Sequence, residues 1–168
     1  LNGAPGGGGR IAVVYDSSAQ AGYNPRVRFV TTRGLGGFIS GVGRANEDGT
    51  VYLPDMSFLS GAMAGGLFQD AYLYIAGMTN WAVDNLTMDN CRFTLARPGM
   101  VVTITNDLLI QTNGAFGLMG NSLLVCSNLT LTNSGYLSIY SGQTNSVGPD
   151  YGALVSVRAN LSMASGSW

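Results

Sequence analysis

The side chains of this chain best suited to chemistry are three carboxylates, Asp84, Asp89 and Asp107, and three guanidiniums, Arg92, Arg97 and Arg158. On a β-scaffold, carboxylates with a nearby cation supply the acid and base of polysaccharide hydrolysis or proton abstraction. Here they are single residues at scattered positions, so solvated charges at turns are the stronger reading. No catalytic, cofactor-binding or metal-ligating residue is assigned. Five tyrosines, Tyr72, Tyr74, Tyr136, Tyr140 and Tyr151, have faces that stack on sugar rings, against the plainer reading of outward or corner packing.

Other chemistries are excluded by absent residue types. There is no His, which removes Ser-His and Cys-His nucleophiles and His-ligated metals. All eight basic residues are Arg, so no lysine exists for a P-loop or a Schiff base. The glycine-rich stretches 6–9 and 34–43 fit neither a phosphate-cradling pattern nor the nonapeptide calcium repeat. No cofactor is therefore expected. With a net charge of −1 the chain has no electrostatic footprint for nucleic acid. Its longest apolar stretches, such as 61–68, stop well short of the roughly 18 residues of a membrane span. Cys91 and Cys126 fall at different points of the repeat described next, which favours two free thiols over a disulfide.

The elements that must position these groups are repeats. Asn85-Leu86-Thr87-Met88 recurs as Asp107-Leu108-Leu109-Ile110, Asn128-Leu129-Thr130-Leu131 and Asn160-Leu161-Ser162-Met163, in steps of 22, 21 and 32 residues. The last step is one period with about ten residues inserted, at 143–150. Each period carries three apolar pairs spaced i, i+2. The first are Leu86/Met88, Leu108/Ile110, Leu129/Leu131 and Leu161/Met163; the second are Phe93/Leu95, Phe116/Leu118 and Leu137/Ile139; the third are Val102/Ile104, Leu123/Val125 and Val155/Val157. Three short strands per turn define an all-β chain, a right-handed parallel β-helix or β-solenoid, in which equivalent side chains stack in files at about 4.8 Å. Asn113-Gly114, Ser134-Gly135 and Ser165-Gly166 mark its corners. The 25 glycines, far above the usual share of about 7%, suit so many tight turns.

Asn85, Asp107, Asn128 and Asn160 form one column. It reads as a structural corner tolerant of left-handed backbone rather than as a binding track. Three of its members open N-x-[ST] sequons, which the recurrence of the coil explains without glycosylation.

The chain divides into an irregular, glycine-rich first half, 1–84, and regular coils, 85–168, in one continuous domain. In the first half, strands are expected at 11–15, with Ile11, Val13 and Tyr15 on one face, at 27–31, with Val27 and Phe29 inward, and at 50–53, 56–59 and 72–75. Dividing length by period gives about seven coils, truncated at both ends. Open end coils expose apolar side chains, so the isolated chain is expected to associate.

The run Gly6-Gly7-Gly8-Gly9-Arg10-Ile11-Ala12-Val13, followed by Gly49-Thr50-Val51-Tyr52-Leu53 and then the repeats from 85, resembles large secreted bacterial β-helix proteins of the autotransporter or adhesin-like kind, with their "GGxGGRIAI" and "GTxYL" runs. The resemblance implies an extracellular or cell-surface location and a structural or adhesive segment of a larger exported protein, continuing into further coils and meeting extracellular polysaccharide or a host or matrix surface. The alternatives are a fragment of a polysaccharide lyase or hydrolase and a phage tailspike segment.

Overall fold

Alternation of Leu86, Thr87, Met88 and Asp89 fits a strand with one buried face, and Leu86 and Met88 are both fully buried. The same alternation repeats along the chain, and the strands it generates lie side by side. The computed structural model describes residues 7–20, 27–33, 48–141 and 152–168. In chain order these form β1 (Arg10–Ala12), the single-turn α1 (Ser17–Gln20), β2 (Phe29–Val30), β3 (Gly49–Leu53), β4 (Ala62–Met63), β5 (Phe68–Gln69), β6 (Ala71–Ile75) and β7 (Asn80–Val83). There follow β8 (Leu86–Asp89), β9 (Arg92–Leu95), β10 (Val101–Gln111), β11 (Ala115–Leu118), β12 (Leu123–Leu131), β13 (Tyr136–Ile139) and β14 (Leu154–Met163).

Two long parallel sheets result. The first runs β1-β3-β6-β9-β11-β13 and the second β14-β12-β10-β8-β4, with β7 also beside β10; a short third sheet joins β2 to β5. The chain is a parallel β-solenoid of about four turns, fewer than the seven that length alone suggests. The shortfall has a plain cause: chain outside the repeating strands, such as the turns over 54–61, adds length without adding windings. The insertion at 143–150 lies outside the described residues.

Leu86, Leu108, Leu129 and Leu161 are register partners in one file. The first three are buried, whereas Leu161, on the edge strand β14, is 59% exposed, as are Leu154 and Met163 beside it in large part. Phe93 and Phe116 also stack in file, with ring centroids 5.5 Å apart, and Phe68 extends the stack at 5.4 Å from Phe93. Inside the helix, then, strand period and winding period agree, which is what a continuous core demands.

The third apolar pairs are displaced by one residue from the sequence expectation. Val102 and Ile104 face Leu124 and Cys126, and these in turn face Val155 and Val157. Leu123 and Val125 point outward and are only partly covered. The cause is a bulge: two residues separate Ile104 from Asp107 but one separates Cys126 from Asn128. That missing residue is why one period is 21 and the other 22.

Corners divide their work between neighbouring residues. Asn113 and Ser134 hold φ values of 58° and 62° in the left-handed region, whereas Gly114 and Gly135 behind them do not. These glycines are there for space, because a Cβ at Gly114 would overlap the Met88 carbonyl oxygen and one at Gly135 the Ile110 carbonyl oxygen of the winding below. The Asn85 column has ordinary backbone and is a bonded ladder. Asn160 Nδ2 donates to Asn128 Oδ1 at 2.9 Å, Asn128 Nδ2 to Asp107 Oδ1 at 2.7 Å, and the Asp107 amide to Asn85 Oδ1 at 3.3 Å.

In the first half, Ile11, Val13 and Tyr15 pack against the core as the alternation requires. Phe29 is buried but Val27 is 48% exposed, so the inward face there is Phe29 and Thr31. Residues 56–59 form a turn, not a strand, with Phe58 plugging the core beside Tyr15 and Phe29. The two glycine-bearing runs meet: β1 pairs with β3, and a Cβ on Gly8 or on Gly49 would overlap the other run's backbone.

Candidate functional site

The outer face of the first sheet carries the only described cleft in which ionic and aromatic side chains converge. Its floor comes from the register that sets Tyr72, Thr94, Gly117 and Ser138 side by side on successive strands. Small side chains in the middle leave a depression. From its two ends Tyr72 and Tyr140 lean together until their ring centroids are 6.5 Å apart.

One wall is a charged file. Asp48, Asp70 and Arg92 each lie 22 residues apart, one winding, immediately before the strand residues Gly49, Ala71 and Phe93 that pair in register. Arg92 Nη2 sits 2.6 Å from Asp70 Oδ1 and donates to Tyr136 Oη at 3.1 Å, with its guanidinium 5.8 Å from the centre of the Tyr136 ring. Thr32 Oγ1 donates to the other Asp70 oxygen at 2.9 Å, and the Arg33 amide donates to Asp48 Oδ1 at 3.4 Å. Burial raises the Asp48 carboxyl above its ordinary value, the Arg33 amide opposes this, and the nearby Asp70 charge adds to the rise. Asp70 itself is left-handed, with φ 54°, which turns its carboxylate toward Arg92.

Of the six charged residues singled out by type, only Arg92 enters this cleft. Asp107 belongs to the amide ladder on the second sheet, Asp89 accepts from Gln111 Nε2 at 3.4 Å on that sheet, and Asp84 is exposed with its backbone carbonyl bonded to the Asn106 amide. Arg97 lies at the turn after β9 and Arg158 is exposed on β14. Sequence reading missed Asp48, Asp70 and Arg33, although the 22-residue spacing through Asp48, Asp70 and Arg92 was the available signal. Among the tyrosines, Tyr72, Tyr136 and Tyr140 line the cleft, and Tyr74 stacks on Tyr52 beside it at 5.6 Å. Tyr151 lies outside the described residues.

Cys91 and Cys126 are free and buried, in different files. Burial pushes the Cys91 thiol up to about 11. Among the described residues no group of three or more metal-ligating side chains gathers, and no helix is long and apolar enough to cross a membrane.

Fold and cleft together define a class: a parallel β-solenoid with a polar, aromatic-edged groove on one outer sheet. No family model, curated protein or solved structure matches the chain.

Proposed function

We propose that this chain is a structural, adhesive segment of an extracellular or cell-surface β-helix protein, whose outer faces meet polysaccharide or matrix. The observation that carries this reading is the unbroken file from Leu86 through Leu108 to Leu129, doubled by the Asn85 to Asn160 ladder outside. Each winding repeats the last, so the chain offers a rigid column that holds outward side chains at fixed spacing. Immobilised on a surface, the chain should retain extracellular polysaccharides or matrix proteins without shortening them. Absence of retention across such a panel would contradict the adhesive reading.

A second reading, a polysaccharide-cleaving enzyme, draws on one observation: Asp48, a carboxyl that keeps its proton more tightly than usual, shares the cleft with the Asp70–Arg92 pair. Release of new reducing ends or unsaturated sugars from a retained polymer would establish it over the first.

A further inference from the structure

The outward aromatic rings of the described residues are concentrated on one side of the solenoid. Strands of the second sheet carry a single aromatic, Trp81, and it is buried. The first sheet instead presents Tyr52 stacked on Tyr74, Tyr72 against Tyr140, and Tyr136 stacked on Trp168 at 4.9 Å. Exposed tyrosine is not needed to hold a β-solenoid together, since the second sheet does without it. Such rings offer flat apolar faces with a hydroxyl at the edge.

Size and charge narrow what fits. The cleft encloses about 180 Å³, below the roughly 300 Å³ at which pockets for drug-sized molecules begin, so it seats one ring. Arg33 and Arg92 are balanced by Asp48 and Asp70, which leaves no net charge to select an ionic ligand. Around the floor, Thr94, Ser138 and the tyrosine hydroxyls add donors and acceptors of both kinds. A ring with one C–H face and an edge of hydroxyls satisfies all three conditions.

We infer that the cleft between Tyr72 and Tyr140, floored by Thr94 and Gly117, is a binding subsite for one uncharged sugar ring of a neutral polysaccharide. The aromatic faces cover the ring's C–H face, and the Asp70–Arg92 pair with Ser138 bonds its hydroxyls. This deepens the adhesive reading and rests on it.

The test is affinity electrophoresis of the full chain through gels containing dextran, galactomannan or β-glucan, with polygalacturonate as the acidic comparison. At least one neutral polymer should retard the chain, and the effect should survive about 0.5 M NaCl, where exposed charges are screened. Tyr140→Ala should weaken the dissociation constant at least about tenfold, while Thr130→Ala on the second sheet should leave it unchanged. Circular dichroism establishes that each variant keeps its strands, and Ser138→Ala gives a second, smaller perturbation of the same cleft. Retardation by no neutral polymer, by the acidic one alone, or equally for Tyr140→Ala and the parent chain would overturn the subsite. Matrix retention that Tyr140→Ala leaves intact sinks the subsite alone; neutral-polymer binding accompanied by new reducing ends sinks the adhesive reading alone.

Discussion

Gly117 lies in register with Thr94, and the volume its missing side chain leaves is filled by the Thr94 side chain: a Cβ on Gly117 would overlap Thr94 Oγ1. The floor of the cleft is therefore set by a pair and not by either residue alone. Gly117→Val should force the stiff, β-branched Thr94 aside and raise the floor, lowering stability by about 1–3 kcal/mol. Thr94→Ala in the same chain should recover most of that loss. Urea denaturation of the two single variants and the double variant checks this; additive losses would contradict it.

Space and conformation are separable at the corners. Gly114→Ala should cost about 1–3 kcal/mol, because its Cβ runs into the Met88 carbonyl of the winding below. Asn113→Gly, at a left-handed φ of 58°, should change stability by no more than about 0.5 kcal/mol, since relief of backbone strain offsets the freer unfolded chain. Denaturation midpoints of the two variants decide it, and the reverse order would show that the corner glycine serves the dihedral angle.

Asp48 gives the cleft a pH signature. Its folded carboxyl titrates above the ordinary 3.8, chiefly through burial. Its contribution to stability is therefore fully present below the ordinary value and is lost as pH rises through the folded one. Asp48→Asn should gain on the parent chain between about pH 3 and neutrality. A gain in the opposite direction would mean that attraction to Arg33 and Arg92 outweighs burial.

The buried thiols should be silent in the folded chain. At pH 8 a thiol reagent such as Ellman's should find neither Cys91 nor Cys126 until denaturant is added, when both of the two cysteines should titrate. Because the folded Cys91 thiol lies near 11 against an ordinary 9.0, its contribution to stability is lost as pH climbs through that window. Cys91→Ala should show the smaller alkaline loss. Rapid labelling of the native chain would contradict the burial of both.

How much of this was legible depended on whether a residue kept the repeat. The files through Leu86, Phe93 and Leu95 were readable because an inward position must be apolar in every winding, and these were. Leu123 and Val125 misled because they are apolar and outward, with Leu124 and Cys126 inward beside them; a run of four apolar residues has no readable phase. Only the bulge near Asp107 settles it, and a one-residue bulge leaves no mark on hydrophobicity. The first half was harder since 56–59 copies a strand's alternation while serving as a turn. Even so, Asp48, Asp70 and Arg92, like Tyr52 and Tyr74, carry the 22-residue spacing in plain view. It went unread because charged and aromatic outward positions are not where a core repeat is sought. That is also where the cleft is built.

The register itself is tested most directly by cross-linking across windings. Leu109 and Thr130 face outward as partners on β10 and β12, and neighbouring parallel strands lie about 4.8 Å apart, within the Cα range that a disulfide spans. Leu109→Cys with Thr130→Cys should oxidise readily to an intramolecular disulfide, measured by its faster electrophoretic migration. Leu109→Cys with Thr132→Cys, two residues further along the same face and about 8 Å away, should not. Equal cross-linking of both pairs, or of the second alone, would contradict the stacked register on which the files, the corners and the cleft all depend.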